Sequence, residues 1–418
     1  MSPDDLGALR EALGERGVHE HEPRRMEGVA PSVTLEPDEG VALAAALRIL
    51  AGRRRAVLVR GGGSRLGLGN PATRADAFLS TRRLAGILEL DAEEGVVHVR
   101  AGTPLATLRA AAVEAGWELP LDPPGAGSSV GGVLAIAALG PRALGHGRVR
   151  DVVLGLEVVL GSGERTRCGG RVVKNVTGYD LQKLYAGSFG TLAVIEAAWL
   201  RLRPRPERVA LWAARLGPGQ DPLALGLEVA RGAAARAVAV LDPGLASGLP
   251  GVEVSAGSAL LVVELAGGEP VVEQRGSELR ARLGAEPAKG ELLDGVRERQ
   301  GGRVGEAGLL LRVDALAPRL PAAARALGEA GGSVLAYPGL GLLYADFEVA
   351  AVEPALAAAR EAASRGGGGW RIEAAPLELR REHEVFGDPP EALAVMRALK
   401  DRYDPAGVLN PGRFLGGL

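Results

Sequence analysis

Three glycine-rich segments that also carry hydroxyl side chains lie in the first half of the chain, and they constrain its fold more than any other feature. They are residues 60–69 (RGGGSRLGLG), 120–132 (PLDPPGAGSSVGG) and 171–192 (RVVKNVTGYDLQKLYAGSFGTL). Glycine has no Cβ, so such segments expose backbone N–H groups and let a ligand approach the main chain closely. Chain reversals alone do not explain three such segments in one half of the chain. Together, the three segments indicate a long ligand that contains pyrophosphate.

The first segment follows an apolar run at residues 56–60 that is typical of a β-strand. A chain reversal after a strand can form an anion-binding nest of backbone N–H groups. Neither standard nucleotide motif is present, because Leu66 takes the last glycine position of G-x-G-x-x-G and Leu68 stands where a P-loop has lysine. Taken alone, this segment is as typical of a tight turn as of a phosphate site.

Composition excludes several classes of protein. The chain has 418 residues, 47% of them hydrophobic, which is enough for roughly two domains. The 49 Lys and Arg against 51 Asp and Glu give a net charge of -2, so we expect no nucleic-acid partner. Cys168 is the only cysteine, which excludes an intrachain disulfide, a thiolate zinc site and an iron–sulfur cluster, and fits a reducing compartment.

The cellular location is predicted from the apolar runs. The N-terminus has neither the basic nor the apolar region of a signal peptide. The longest smooth apolar run, residues 130–139, is about half the length of a membrane span. We therefore expect a cytoplasmic protein without a transmembrane segment.

Alternating strand and helix patterns indicate an α+β protein with a domain boundary near residues 201–206, where prolines and arginines end an apolar stretch. Before it, a helix is expected to begin at residues 37–39 and another with Thr103 as N-cap and Pro104 at its first position. After it, strands are expected at residues 260–265, 309–313, 333–336 and 342–347, a helix at 318–327, and a loop tip at 365–369. The final stretch, DPAGVLNPGRF, is too rich in turn formers for a helical tail.

Five segments in this order make the sequence recognisable: RGGGSRLGLG, DPPGAGSSVGG, GRVRDVVLGLEVVLGSGE, GGRVVKNVTGYDLQKLYAGSFGTLAVIE and DPAGVLNPGRF. They resemble the FAD-linked oxidases of the vanillyl-alcohol-oxidase/PCMH type, and within them the FAD-binding subunits of bacterial glycolate oxidases. The resemblance implies an α+β fold with a two-subdomain PCMH-type FAD-binding domain at residues 25–205 and a small α+β cap domain at 206–395. A C-terminal segment, 396–418, is then expected to return to the flavin site.

The resemblance also implies which residues bind FAD. The first segment resembles a pyrophosphate cradle, the second a loop beside the ribityl chain and ring, and the third a loop that closes over the cofactor, with the C-terminal segment near the ring. The implied residues are Arg60, Gly61, Gly62, Gly63, Ser64, Gly69, Pro123, Ser128, Ser129, Gly131, Gly132, Gly187, Ser188, Gly190, Thr191, Ile195 and Asn410.

Some relatives attach their flavin covalently through histidine or cysteine. The candidates here are His98, His146 and Cys168, and of these His146, between two glycines, is the best placed for proximity to the flavin. We expect non-covalent FAD. Related 2-hydroxy-acid dehydrogenases carry a histidine-rich metal site in the cap, whereas the similar stretch here, residues 334–341, has no histidine and His383 is the only one in the cap. No metal and no catalytic residue are therefore assigned.

Several functions follow from the resemblance. The first is a glycolate oxidase subunit that oxidises a 2-hydroxy acid by hydride transfer from Cα to flavin N5, working with a second flavin subunit and an iron–sulfur subunit. Membrane association would then come only through those partners. The alternatives are a self-sufficient FAD-dependent oxidoreductase with Tyr337, Tyr344 or His383 as base, and a non-catalytic flavin-domain scaffold. A P-loop-type nucleotide enzyme stays open only if the resemblance is accidental.

Overall fold

A computed structural model describes residues 1–172, 179–255, 257–301 and 308–418. The part of the third glycine-rich segment at residues 173–178 lies outside this range. In the described residues the strands form a four-stranded, a five-stranded and an eight-stranded sheet and a two-stranded ribbon. None of the described helices is long and apolar enough to cross a membrane.

The first sheet has the strand order β1-β2-β4-β3, with β4 parallel to both β2 and β3. Buried Leu43, Leu47 and Leu50 recur at helical spacing on α2 and pack against this sheet. That helix begins after Glu39, later than predicted, because Glu39 has the extended backbone of an N-cap. The elements are α1 (Pro3–Leu13), β1 (Val18–Glu20), β2 (Val33–Leu35), α2 (Gly40–Gly52), β3 (Val57–Arg60) and β4 (Ala77–Ser80).

The second sheet is antiparallel, in the order β5-β6-β10-β8-β9, and β7 pairs with β11 in the ribbon. Helix α3 begins at Leu105 with Pro104 as N-cap, whereas Thr103 was expected there. The Thr103 hydroxyl instead accepts from the N–H of Gly86, at 2.9 Å. The elements are β5 (Ile87–Asp91), β6 (Val96–Arg100), α3 (Leu105–Glu114), β7 (Trp117–Glu118), α4 (Val130–Ile136), α5 (Ala143–His146), α6 (Val149–Val152), β8 (Val153–Leu160), β9 (Arg165–Gly169), α7 (Gln182–Tyr185), β10 (Ala193–Arg201) and β11 (Arg203–Pro204).

The third sheet is antiparallel, in the order β15-β12-β14-β13-β17-β18-β16-β19, and with its helices it is called the cap below. Helix α13 extends to Gly366, with Gly367 at φ +69° as its C-cap, so the glycine run ends a helix where a loop tip was predicted. The elements are β12 (Arg208–Leu216), α8 (Pro222–Ala230), β13 (Ala235–Leu241), α9 (Pro243–Ala246), β14 (Ala259–Gly267), α10 (Glu269–Leu283), β15 (Glu286–Ala288), α11 (Gly290–Arg299), β16 (Gly308–Asp314), α12 (Leu320–Glu329), β17 (Ser333–Tyr337), β18 (Leu342–Glu348), α13 (Val352–Gly366), β19 (Trp370–Ala374) and α14 (Leu377–Glu382).

The C-terminal segment returns to the first sheet after α15 (Leu393–Tyr403). The N–H of Val57 donates to the carbonyl of Val408 at 2.8 Å, and Leu409 forms a parallel bridge with Val57 beside β3. Val408 and Leu409 are fully buried. The last turns of the chain are therefore fixed next to the first glycine-rich segment. The domain boundaries at residues 205 and 395 stay predictions.

Candidate functional site

A cavity lies where the first two sheets meet the C-terminal segment. All three glycine-rich segments contribute to its wall. The predicted residues that line it are Arg60, Gly61, Gly62, Gly63, Ser64, Ser128, Ser129, Gly131, Gly132, Ser188, Gly190, Ile195 and Asn410. The structure thus brings most of the predicted residues together, and their contact with FAD stays a prediction.

Four predicted residues do not line this cavity, namely Gly69, Pro123, Gly187 and Thr191. Three of them, Gly69, Gly187 and Thr191, make hydrogen bonds that hold the lining loops. The hydroxyl of Thr191 donates to the carbonyl of Ser188 at 2.7 Å, and the N–H of Gly187 donates to Leu134 at 3.0 Å. Gly69, at φ +100°, has the left-handed conformation that favours glycine and accepts from Arg380 through its carbonyl.

The first two glycine-rich segments touch each other at the cavity. A Cβ on Gly62 would lie 1.9 Å from the carbonyl oxygen of Gly127, and one on Gly61 would lie 2.0 Å from the hydroxyl oxygen of Ser129. The N–H of Gly62 donates to that hydroxyl at 3.2 Å. Only glycine at these two positions permits this contact, because any side chain would push the segments apart.

Hydrogen-bond donors and a positive charge lie together at this cavity. No hydrogen bond among the described residues uses the N–H groups of Gly63 and Ser64. The Nε of Arg60 is buried and has no hydrogen-bond partner there. Burial, followed by the nearby charges of Arg82 and Arg24, lowers the pKa of Arg60, which stays a cation at neutral pH. The arrangement suits a phosphate group, since Gly63 and Ser64 with free N–H donors and the cationic Arg60 line the same cavity.

Asn410 joins three parts of the wall. Its side-chain oxygen accepts from the N–H of Val59 on β3 at 2.7 Å, and its side-chain nitrogen donates to the carbonyl of Phe189 at 2.8 Å. Both Asn410 and Phe189 have positive φ, +46° and +57°. This residue therefore fixes the C-terminal segment against the first and third glycine-rich segments.

Arg413 is a lining residue that sequence reasoning missed. Its guanidinium donates to the carbonyls of Leu68 and Asn70 at 2.8 and 2.7 Å and pairs with Glu27 at 2.8 Å. Burial lowers the pKa of Arg413, and Glu27 opposes that shift. It closes the far end of the first segment against the C-terminal segment. A lone arginine in an otherwise uncharged NPGRF run was the sequence signal that could have identified it.

Three of the chain's five phenylalanines meet beside the cavity. Phe189 lines it, Phe414 stacks on Phe189 with ring centroids 5.0 Å apart, and Phe386 of the cap meets both edge-on. Such ring pairs add to the free energy of packing. They give the cavity an apolar wall that composition alone did not indicate.

The candidates for covalent attachment lie elsewhere. His98 stacks on Trp199 with centroids 4.3 Å apart, and buried His146 lies 3.5 Å from Glu118. Burial raises the pKa of Cys168 to about 11. None of the three lines the cavity. His146 lies beside Glu118, which also pairs with Arg236 of the cap, and its proximity to the flavin stays a prediction.

The three candidate bases are also outside the wall. Tyr337 and Tyr344 are buried in the cap, where burial raises the pKa of both, and the Tyr337 hydroxyl donates to Gln300 at 2.7 Å. His383 lies 3.8 Å from Glu353. Within the described part of the chain, no group of three His, Cys, Asp or Glu side chains is placed to hold a metal ion.

Known proteins resemble this chain over most of its length. Glycolate oxidase subunit GlcE of Escherichia coli is 32% identical over 366 residues, which cover 86% of this chain and 92% of that protein. Mitochondrial D-2-hydroxyglutarate dehydrogenase of Bos taurus is 30% identical over 462 residues, covering 99% of this chain and 84% of that protein. A family model described as an FAD binding domain matches residues 31–169, and one for the C-terminal domain of FAD linked oxidases matches 387–414.

Solved structures agree on the fold. p-Cresol methylhydroxylase superposes with a TM-score of 0.70 at 15% identity, covering 98% of this chain and 96% of that one. Alkyldihydroxyacetonephosphate synthase also gives 0.70 at 15% identity, covering 98% and 86%. These confirm the predicted α+β PCMH-type fold. The chain belongs to the FAD-linked oxidases. It is an FAD-linked oxidoreductase, and the predicted cofactor is confirmed by its family.

The cavity fits that cofactor. Unused N–H groups and the orphaned Nε of Arg60 provide donors for phosphate, and the glycine contacts keep side chains out of the space beside them. Apolar side chains of the cavity wall suit the flat rings of a flavin. They include Leu58, Ala101, Val133, Ile136 and Val194.

Proposed function

We propose that this chain is the FAD-binding subunit of a glycolate oxidase complex, which oxidises glycolate to glyoxylate. The observation that carries the proposal is the match to GlcE over 92% of that subunit. The D-lactate dehydrogenase of Archaeoglobus fulgidus, 37% identical over 199 residues, supports the wider substrate class of 2-hydroxy acids. That match covers 48% of this chain and 45% of the dehydrogenase.

The chain's own residues have distinct parts in this proposal. Gly63, Ser64 and Arg60 would hold the FAD phosphates, and Ser128 and Ser129 would hold the neighbouring loop in place. When bound, FAD supplies the acceptor for the hydride that leaves Cα of the hydroxy acid. The apolar wall around Phe189 would exclude water from the reacting atoms.

The proton on the substrate hydroxyl needs a base, and no candidate base lines the cavity among the described residues. A partner is needed for onward electron transfer, since a chain with one cysteine cannot hold an iron–sulfur cluster. The complex would therefore contain a second flavin subunit and an iron–sulfur subunit, and any membrane association would come through them.

Anaerobic addition of glycolate or D-lactate to the FAD-loaded chain tests this proposal, with the visible flavin absorbance as readout. The chain alone should stay oxidised, and the complex with its partner subunits should bleach with glycolate. Bleaching of the isolated chain by glycolate would instead favour a self-sufficient oxidoreductase. If neither form bleaches with either acid, the proposed substrate class is wrong.

A further inference from the structure

The strongest unexplained feature is a cluster of arginines where the cap meets the first glycine-rich segment. Arg371 of β19 lies directly opposite Arg312 of β16, which lies opposite Tyr344 of β18. Residues paired in this way share one face of a sheet. Like charges directly opposite each other are destabilising, so this pair requires a nearby negative charge.

A third arginine reaches the cluster from the other side. Arg65, which lines the cavity, donates to the carbonyl of Gly301 at 2.9 Å and pairs with Glu373. Its side chain is 10% exposed. The cluster is therefore shared between the cavity wall and the cap.

Glu373 is the carboxylate between Arg65 and Arg371. One of its oxygens accepts from Arg65, and the other accepts from Nε of Arg371 at 2.7 Å. Its side chain is 4% exposed. Burial raises the pKa of this carboxyl, but the charges of Arg371, Arg65 and Arg312 outweigh burial and keep it ionised. Arg312 pairs instead with Asp314 at 2.6 Å, and the Asp314 side chain is 44% exposed.

The contacts of Glu373 are those that a bound carboxylic acid would make. A guanidinium on each oxygen is the usual recognition of a carboxylate in proteins. Here the carboxylate is part of the chain and comes from the same strand as one of the arginines. The Nε of Arg312 is buried without a hydrogen-bond partner, so the cluster has an unused donor as well.

We propose that Arg65 and Arg371, with the unused donor of Arg312 beside them, form an anion site that fits a small carboxylate and that Glu373 fills from within. This inference goes beyond the proposed function and needs neither FAD nor turnover.

Chemical rescue tests the proposal. Glu373→Ala removes the carboxylate and leaves space for a small acid, whereas Glu373→Gln removes the charge and keeps the space filled. The thermal unfolding midpoint of each full-length variant is measured with increasing sodium acetate or sodium glycolate, and with acetamide as the neutral control. Sodium chloride at equal ionic strength corrects for screening.

We expect both variants to unfold several degrees below the wild type. Acetate and glycolate should raise the midpoint of Glu373→Ala saturably in the millimolar range, and acetamide should not. Neither acid should raise the midpoint of the wild type or of Glu373→Gln. The proposal is overturned if acetate stabilises Glu373→Ala no more than acetamide does, or if it stabilises all three proteins equally.

Refolding decides the case in which Glu373→Ala is recovered only from inclusion bodies. Recovery of folded protein should then rise in acetate and stay low in acetamide. Equal recovery in both would contradict the proposal. Because no step uses glycolate oxidation, a failure here is distinct from a failure of the proposed function.

Discussion

The side-chain amide of Asn410 donates to the carbonyl oxygen of Phe189, 221 residues earlier in the chain, at 2.8 Å. The same side chain accepts from the N–H of Val59. One residue of the C-terminal segment thus fixes the strand before the first glycine-rich segment and the loop of the third. The wall of the cavity is therefore not complete until the last turns of the chain are in place.

Removing the Asn410 side chain should weaken both folding and FAD binding. In Asn410→Gly the Phe189 carbonyl loses its partner in a buried place, which costs about 1–3 kcal/mol. Asn410→Ala should be destabilised further, by about 1 kcal/mol, because φ is +46° at this position. Urea unfolding and FAD titration by flavin fluorescence measure the two effects. Equal stability of Asn410→Gly and the wild type would show that these hydrogen bonds do not support the wall.

Gly62→Ala should abolish tight FAD binding. Its Cβ would lie 1.9 Å from the Gly127 carbonyl, so the first two segments would have to separate. Gly67→Ala is the matched control in the same segment, because nothing lies within 4 Å of a Cβ there. The flavin content of the two purified variants gives the comparison. Full flavin content in Gly62→Ala would mean that contact between the segments is not needed for the site.

Acid should destabilise the junction between the cap and the flavin domain. Burial raises the pKa of Glu264, but hydrogen bonds and charges from Arg142 and Arg236 outweigh it and hold the pKa below its ordinary value. A lowered folded-state pKa contributes stability above the unfolded value of about 4.3, and that stability is lost as pH falls toward the folded pKa. Urea unfolding between neutral pH and about pH 3 should show this loss.

Glu264→Gln identifies the group responsible. It should cost about 1–3 kcal/mol at neutral pH, because Arg142 and Arg236 each lose one of their two carboxylate partners. Its stability should also depend less on pH over the same acid range. Glu114→Gln, at an exposed position of α3, is the control and should follow the wild type. An unchanged acid profile in Glu264→Gln would assign the loss to other carboxylates.

Cys168 should react slowly with thiol reagents in the folded chain. Burial raises the pKa of its thiol to about 11, so roughly one molecule in a thousand carries the thiolate at about pH 8. Labelling of the native protein should be at least about a hundredfold slower than in denaturant. Adding FAD should leave the native rate unchanged, since Cys168 does not line the cavity. Slower labelling in the presence of FAD would mean that the thiol lies close to the bound flavin, which would contradict its position outside the cavity wall.

The sequence predicted the residues that line the cavity better than it predicted the ends of the helices. The glycine-rich segments were identifiable because glycine at residues 61 and 62 is needed for a close approach that local sequence already marks. The helices that follow Glu39 and Pro104 were predicted to begin a residue or more too early, because the position of an N-cap depends on the backbone geometry of the connection. The end of α13 was missed for a related reason, since consecutive glycines can cap a helix as well as form a loop.

Long-range pairings could not be predicted from one sequence. Arg65 and Glu373 are 308 residues apart, and the meeting of Phe189, Phe386 and Phe414 joins the flavin domain, the cap and the C-terminal segment. The side-chain direction of His146 depends on Glu118, which is fixed by an arginine of the cap. Spacing along the chain contains no information on such contacts, because they depend on how the domains pack.

The visible spectrum of the purified chain, before and after acid precipitation, tests the central claim that the cavity holds FAD without a covalent bond. The account predicts a flavin spectrum that appears in the supernatant after precipitation, as free FAD. Flavin that stays with the precipitate would contradict non-covalent binding. A colourless chain that takes up no FAD when it is supplied would contradict the site itself.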